Sequence, residues 1–98
     1  MGLTSADAVR EAATQLETLG RQLADQSFET SITDKQGKPT LSVTFPELHQ
    51  LHETIAIAPT DDGEWWFWWS WGDRITRVTD TGTAAFKIAY VLTPQAGG

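Results

Sequence analysis

The sequence predicts an α+β fold, a two-layer sandwich in which an N-terminal and a C-terminal helix cover one face of a four-stranded antiparallel meander. Three observations carry this. Apolar residues recur with helical spacing towards both ends, they alternate with period two between about residues 27 and 71, and short turn-forming stretches join the alternating segments. Helices set apart from hairpin-linked strands give a sheet with one apolar face, hence two layers. At 98 residues the chain forms one domain, 1–98.

The first helix is expected over residues 5–26, where Val9, Ala12, Ala13, Leu16, Leu19, Gly20 and Leu23 follow the i, i+3, i+4, i+7 spacing. Arg10, Glu11, Glu17, Arg21 and Gln22 take the other side. Thr4 or Ser5 is placed to cap the free amides, and Asp7 and Glu11 stand near the positive end of the helix dipole. Small residues at 12, 13 and 20 allow a close approach to a sheet.

The period then changes to two. Over 27–33, Phe28, Thr30 and Ile32 alternate with Glu29, Ser31 and Thr33; over 40–45, Leu41, Val43 and Phe45 alternate with Ser42 and Thr44. "DKQGKP" joins the two as a hairpin, with Gly37 as its permissive position, and Pro46 ends the second strand. "ELHQLHE" reads as a connection of at most one helical turn before a third strand at 53–58, whose Ile55 and Ile57 point inward. "TDDG" is a hairpin turn that leads into a fourth strand at 64–71. Gly72 is expected to mark a bulge or bend, with "DRITRVT" prolonging the strand to Ile75. Asp80 caps a helix at 81–92 with Ala84, Ala85, Ile88, Val91 and Leu92 as its inner stripe, and 93–98 is a tail.

"GEWWFWWSWGD", residues 63–73, holds all five tryptophans of the chain. Alternation places Trp65, Phe67, Trp69 and Trp71 on the inner face with Phe28, Ile32, Leu41, Val43, Phe45, Ile55 and Ile57, and it turns Glu64, Trp66, Trp68 and Ser70 outward. The outer face otherwise carries Glu29, Ser31, Thr33, Ser42, Thr44, Thr54 and Ala56. Two indoles standing there can expose up to roughly 400 Å² of aromatic surface, as much as the largest patch on a typical monomer. Trp66 and Trp68, with Thr44 and Thr54, are therefore the candidate contact face. Three readings of it stay open: cross-strand packing alone, contact with a protein partner or a second copy as a homodimer, or stacking of a carbohydrate or other flat ligand.

Composition narrows the chemistry. The net charge is −6, and only Arg74 and Arg77 among seven Lys and Arg lie near the aromatics, which argues against nucleic acid. Without cysteine there is neither a disulfide framework nor a thiolate metal site, and a reducing cytoplasm fits. The first residues lack a basic and an apolar signal region, no run of about 18 apolar residues occurs, and Ala6 breaks the N-acylation motif, so neither export nor a membrane span is expected. His49 and His52, beside Glu47 and Glu53, are the sole histidines; a small enzyme would have to use one of them, but their spacing is not H-E-x-x-H and no third ligand is specified. Asp61 and Asp62 are turn residues rather than a calcium loop, while Glu64 and Asp73 flank the aromatic run as a glycosidase pair would. The expectation is a non-enzymatic domain with no cofactor and no metal.

Phe86 and Tyr90, one turn apart, lie away from the inner stripe of the last helix, where they clamp its edge, cover the tail or extend a contact surface. The terminal Gly97-Gly98 resembles the tail of ubiquitin-like carriers, but those open with a hairpin and this chain opens with a helix. "WWFWWSWGDRI" followed by "TD" and a terminal helix resembles small uncharacterised proteins and domains of high-GC Gram-positive bacteria, which share a leucine-ended helix before the sheet. The resemblance extends from about Trp65 to Ile75; it implies a bacterial source and no activity. The helix, sheet, helix layout is also similar, at fold level only, to small chaperone-type α+β domains that pair through exposed faces.

Overall fold

A computed structural model describes residues 5–35, 38–48 and 50–93. Its elements are α1 (Ser5–Asp25), β1 (Glu29–Lys35), β2 (Lys38–Thr44), β3 (His52–Pro59), β4 (Trp65–Trp68), β5 (Arg74–Arg77) and α2 (Thr81–Leu92). The strands form one antiparallel sheet in the order β1-β2-β3-β4-β5. The fold is α+β with both helices packed on the sheet, as the sequence predicts, but the meander has five strands instead of four.

α1 presents Ala12, Leu16, Leu19 and Leu23 to the sheet, all essentially without solvent contact. Gly20 sets the spacing there, because a Cβ on it would lie 3.1 Å from Leu41 Cδ1. The helix ends where Phe28 N–H bonds Leu23 O (3.1 Å) and Ser27 N–H bonds Ala24 O (2.9 Å), with Ser27 in the left-handed region at φ 74°. That is a Schellman closure, and its apolar contact brings the buried Phe28 back onto the last turn.

The inner face contributes Leu41, Val43, Ile55, Phe67, Trp69 and Ile75 to the core, and α2 adds Ala84, Ala85, Ile88 and Leu92. Phe45, Ile57 and Trp65 pack against this core while only partly buried. Three predicted core residues do not follow: Trp71, 53% exposed in the loop after β4, and two others. Ile32 pairs with Leu41 on the inner face yet is 42% exposed, because β1 is the outermost strand and Leu41, one strand further in, takes the place beneath Gly20 of α1; Val91 is 49% exposed on a flank of α2. Gly37, His49 and the Gly97-Gly98 tail lie outside the described residues. No helix among the described residues is long and apolar enough to cross a membrane.

The largest correction concerns the aromatic strand. It ends at Trp68, after which Trp69 N–H bonds Asp73 O (2.8 Å), Gly72 N–H bonds Trp69 O (3.0 Å) and Gly72 takes φ 97°. The preceding hairpin has the same build: Thr60 N–H to Glu64 O (2.8 Å), Gly63 N–H to Thr60 O (2.9 Å), Gly63 at φ 83°. Each is a three-residue loop closed by a left-handed glycine. Gly72 thus reverses the chain, and "RITR" becomes a fifth strand rather than a continuation.

Candidate outer-face contact site

The helices cover one face of the sheet, so the site is built on the other. β3 and β4 align Ala56 with Trp68 and Ala58 with Trp66. Alanines at these positions leave the room that two flat indoles fill, and both rings are half-buried rather than standing free. Trp68 donates from Nε1 to Ala58 O at 3.0 Å, so its ring crosses towards β3 with its polar edge satisfied.

Trp66 is held from the other side. β5 pairs Arg77 with Trp66 and Arg74 with Trp68, three residues of β5 spanning two of β4, which is a bulge. In a regular strand residues 74 and 77 would face opposite ways; the bulge turns both to the outer face. Their guanidinium carbons lie 4.6 Å (Arg74) and 5.6 Å (Arg77) from the Trp66 ring centroid. Each such contact contributes about 0.5–1 kcal/mol when exposed. Arg77 Nε also lies 2.8 Å from Glu64 Oε2, an exposed pair that fixes the side chain more than it stabilises the fold.

The four residues expected to form the site separate in space. Trp66 and Trp68 sit together, and Thr54 is on β3 two positions from the Ala56 that faces Trp68. Thr44, opposite His52, occupies the far corner of the face. Arg74 and Arg77 belong to the site and were not anticipated as its members. Their closeness to the aromatics is visible in the sequence, but their common face depends on a bulge that alternation does not encode.

The other candidate side chains that the structure describes lie in loops or at strand ends. Asp62 closes the Thr60–Glu64 loop, accepting from the Thr60 hydroxyl and from Glu64 N–H at 3.2 Å. These bonds, the hydroxyl first, hold its carboxyl below the usual 3.8. Glu64 and Asp73 are engaged at opposite ends of β4, with Arg77 and with Trp71 Nε1 (2.8 Å). His52 is exposed at the start of β3, and Glu53 accepts from Ser70 Oγ at 3.0 Å. Among the described residues no three His, Asp or Glu side chains are grouped as metal ligands, and no buried side-chain polar atom lacks a partner.

Trp71, expected in the core, is 53% exposed, because it stands in the reversed loop rather than on the strand. The most exposed large apolar side chains belong to α2, with Phe86 at 70% and Tyr90 at 63%. The surface depressions are open and shallow; one of about 460 Å³ runs beside Trp66, between Arg77 and Lys87. No protein-family model, no curated protein and no solved structure matches the chain.

Proposed function

We propose that this is a non-enzymatic interaction domain that meets a protein partner through its outer sheet face, centred on Trp66 and Trp68 and bordered by Arg74 and Arg77. The observation that carries the reading is the clamp: a half-buried indole on the helix-free face with two arginines over it. Trp and Arg are the side chains most enriched where binding energy concentrates in protein interfaces. Holding Trp66 in advance lowers the side-chain ordering cost of association. The Trp68 N–H is satisfied internally at 3.0 Å, so a partner can cover that ring without stranding a donor.

A flat sugar would have to displace a guanidinium to stack on the clamped side of Trp66, whereas a polypeptide offers carbonyls and carboxylates to the arginines while packing on the rings. That contrast favours a protein partner. The test is co-purification from the source cells with tagged wild type and with a Trp66→Thr, Trp68→Thr double variant. Proteins retained by the wild type and lost from the folded variant are the expected result; identical retention overturns the reading. A parallel sugar panel followed by Trp fluorescence should give no saturable shift.

A further inference from the structure

We infer that β1 is the contact between two copies of this chain: it pairs antiparallel with β1 of a second copy about a two-fold axis at Ile32, which joins two sheets into one. The two edges of the sheet differ in build. β5 has four residues, a bulge in its ladder and the Lys87 ammonium 3.1 Å from Ile75 O. β1 has seven residues in an unbroken register with β2, and among the described residues no strand lies beyond it. Short length and bulges are ways by which sheets discourage edge pairing, and β1 has neither.

The hydrogen bonds show which backbone groups of β1 are left over. Thr33 O accepts from the Thr40 hydroxyl of β2 at 3.3 Å, so residue 33 turns its peptide groups towards β2. Asp34 stands opposite Pro39, which has no N–H to give, so these two do not form a hydrogen-bonded pair. Alternation then directs the N–H and C=O groups of Thr30, Ile32 and Asp34 to the open edge. An antiparallel second β1 centred on Ile32 sets residue 32 opposite 32 and residue 30 opposite 34, and each of these pairs exchanges both N–H···O bonds. Every outward group of the three residues finds a partner.

The residues suit a copy of the same strand. About Ile32, "ETSITDK" is its own complement: Glu29 stands opposite Lys35, Thr30 opposite Asp34, Ser31 opposite Thr33, and Ile32 opposite itself. Opposite charges and hydroxyl pairs across a ladder are favourable, like charges are not, and this register creates no like pair. Ile32 gains most. It lies on the inner face at 42% exposure because α1 sets Gly20 against Leu41 of β2, one strand further in. In the pair, each Ile32 covers the other. An unlike strand would need the same order of charges in the same register, whereas a second copy has it by symmetry.

Sedimentation equilibrium on the full chain tests this. The wild type should form a dimer at concentrations below about 1 mM. Ile32→Lys sets two like charges against each other at the axis, and Asp34→Pro removes an outward N–H from each copy while sparing the ladder to β2. Each should weaken the dimer about 10-fold or more, with the circular dichroism spectrum of the monomer kept. Glu29→Lys should weaken it as well, and Lys35→Glu added to that variant should restore it. The Trp66→Thr, Trp68→Thr double variant should dimerise like the wild type, which separates this contact from the outer sheet face. Amide hydrogen exchange at Thr30 and Ile32 should slow as protein concentration rises, while Ser31 and Thr33, already bonded to β2, should not change. A wild type that stays monomeric up to about 1 mM overturns the inference. So does a dimer untouched by both Ile32→Lys and Asp34→Pro, a charge exchange that restores nothing, or a dimer that the double threonine variant dissolves.

Discussion

The indole of Trp71 lies parallel to that of Trp69, with centroids 4.8 Å apart and planes 8° from each other, although Trp69 is buried and Trp71 is 53% exposed. The stack exists because the loop turns back on itself: Trp69 opens it, Trp71 sits on its crest, and Trp71 Nε1 is tied to Asp73 Oδ2 at 2.8 Å. The outer ring shields the inner one. Trp71→Ala should therefore cost about 1–2 kcal/mol, one stacking contact and one hydrogen bond, whereas Trp69→Ala should cost about 3–5 kcal/mol as a core truncation. Urea unfolding of both variants checks the ordering. Equal losses would mean that the outer ring is part of the core.

Ser27 stands where helix closures usually place glycine, at φ 74° in the left-handed region. A side chain there costs roughly 1–2 kcal/mol of backbone strain, and Ser27 is exposed with no large contact to lose. Ser27→Gly should accordingly stabilise the protein by about 0.5–1 kcal/mol, the strain relieved less the extra freedom that glycine gains when unfolded. Ser27→Val should do the opposite. A lower melting temperature for the glycine variant would contradict the closure described.

Most of the layout was legible because it rests on periodicity: the leucine stripe of α1, the alternation of β1 to β3 and the Asp80 cap each name their element. The fifth strand was hidden by composition. "TDDGE" reads as a turn because aspartates announce it, while "WSWGD" builds the same loop from tryptophans, and only the shared glycine before an acidic residue reveals the likeness. Reading alternation on to Trp71, past the end of β4 at Trp68, put that ring in the core when it stands exposed in the loop. Val91 failed for another reason. In a helix apolar all round the sequence cannot say which side is inside, and the sheet decides. The Trp66 and Trp68 pair was found by parity, which held over the four residues of β4, but their half-burial follows from Ala56, Ala58 and the β5 bulge, a tertiary fact.

Asp62 gives the loop before β4 a dependence on acid. Its carboxyl is held below the usual 3.8 by the Thr60 hydroxyl and then by Glu64 N–H. A pKa that is lower in the folded state contributes stability fully above the unfolded value, and that contribution disappears as pH falls through the folded value. Thr60→Val removes the largest cause, so the Asp62 carboxyl carbon should titrate closer to 3.8 by NMR in the variant than in the wild type. The same midpoint in both proteins would assign the lowering to the backbone alone.

Lys87 guards the edge of the sheet. β5 is the last strand, and an edge presents unpaired backbone groups to which another chain can add. Lys87 Nζ occupies the Ile75 carbonyl at 3.1 Å and places a cation beside the strand, while the β5 bulge interrupts its regular ladder. Both are ways by which sheets discourage edge-to-edge pairing. Lys87→Ala should change folding stability by less than about 1 kcal/mol, since the ammonium is exposed and the hydrogen bond modest. It should, however, raise the rate at which thioflavin-positive aggregates appear on warming, and Lys87→Arg should restore the wild-type rate.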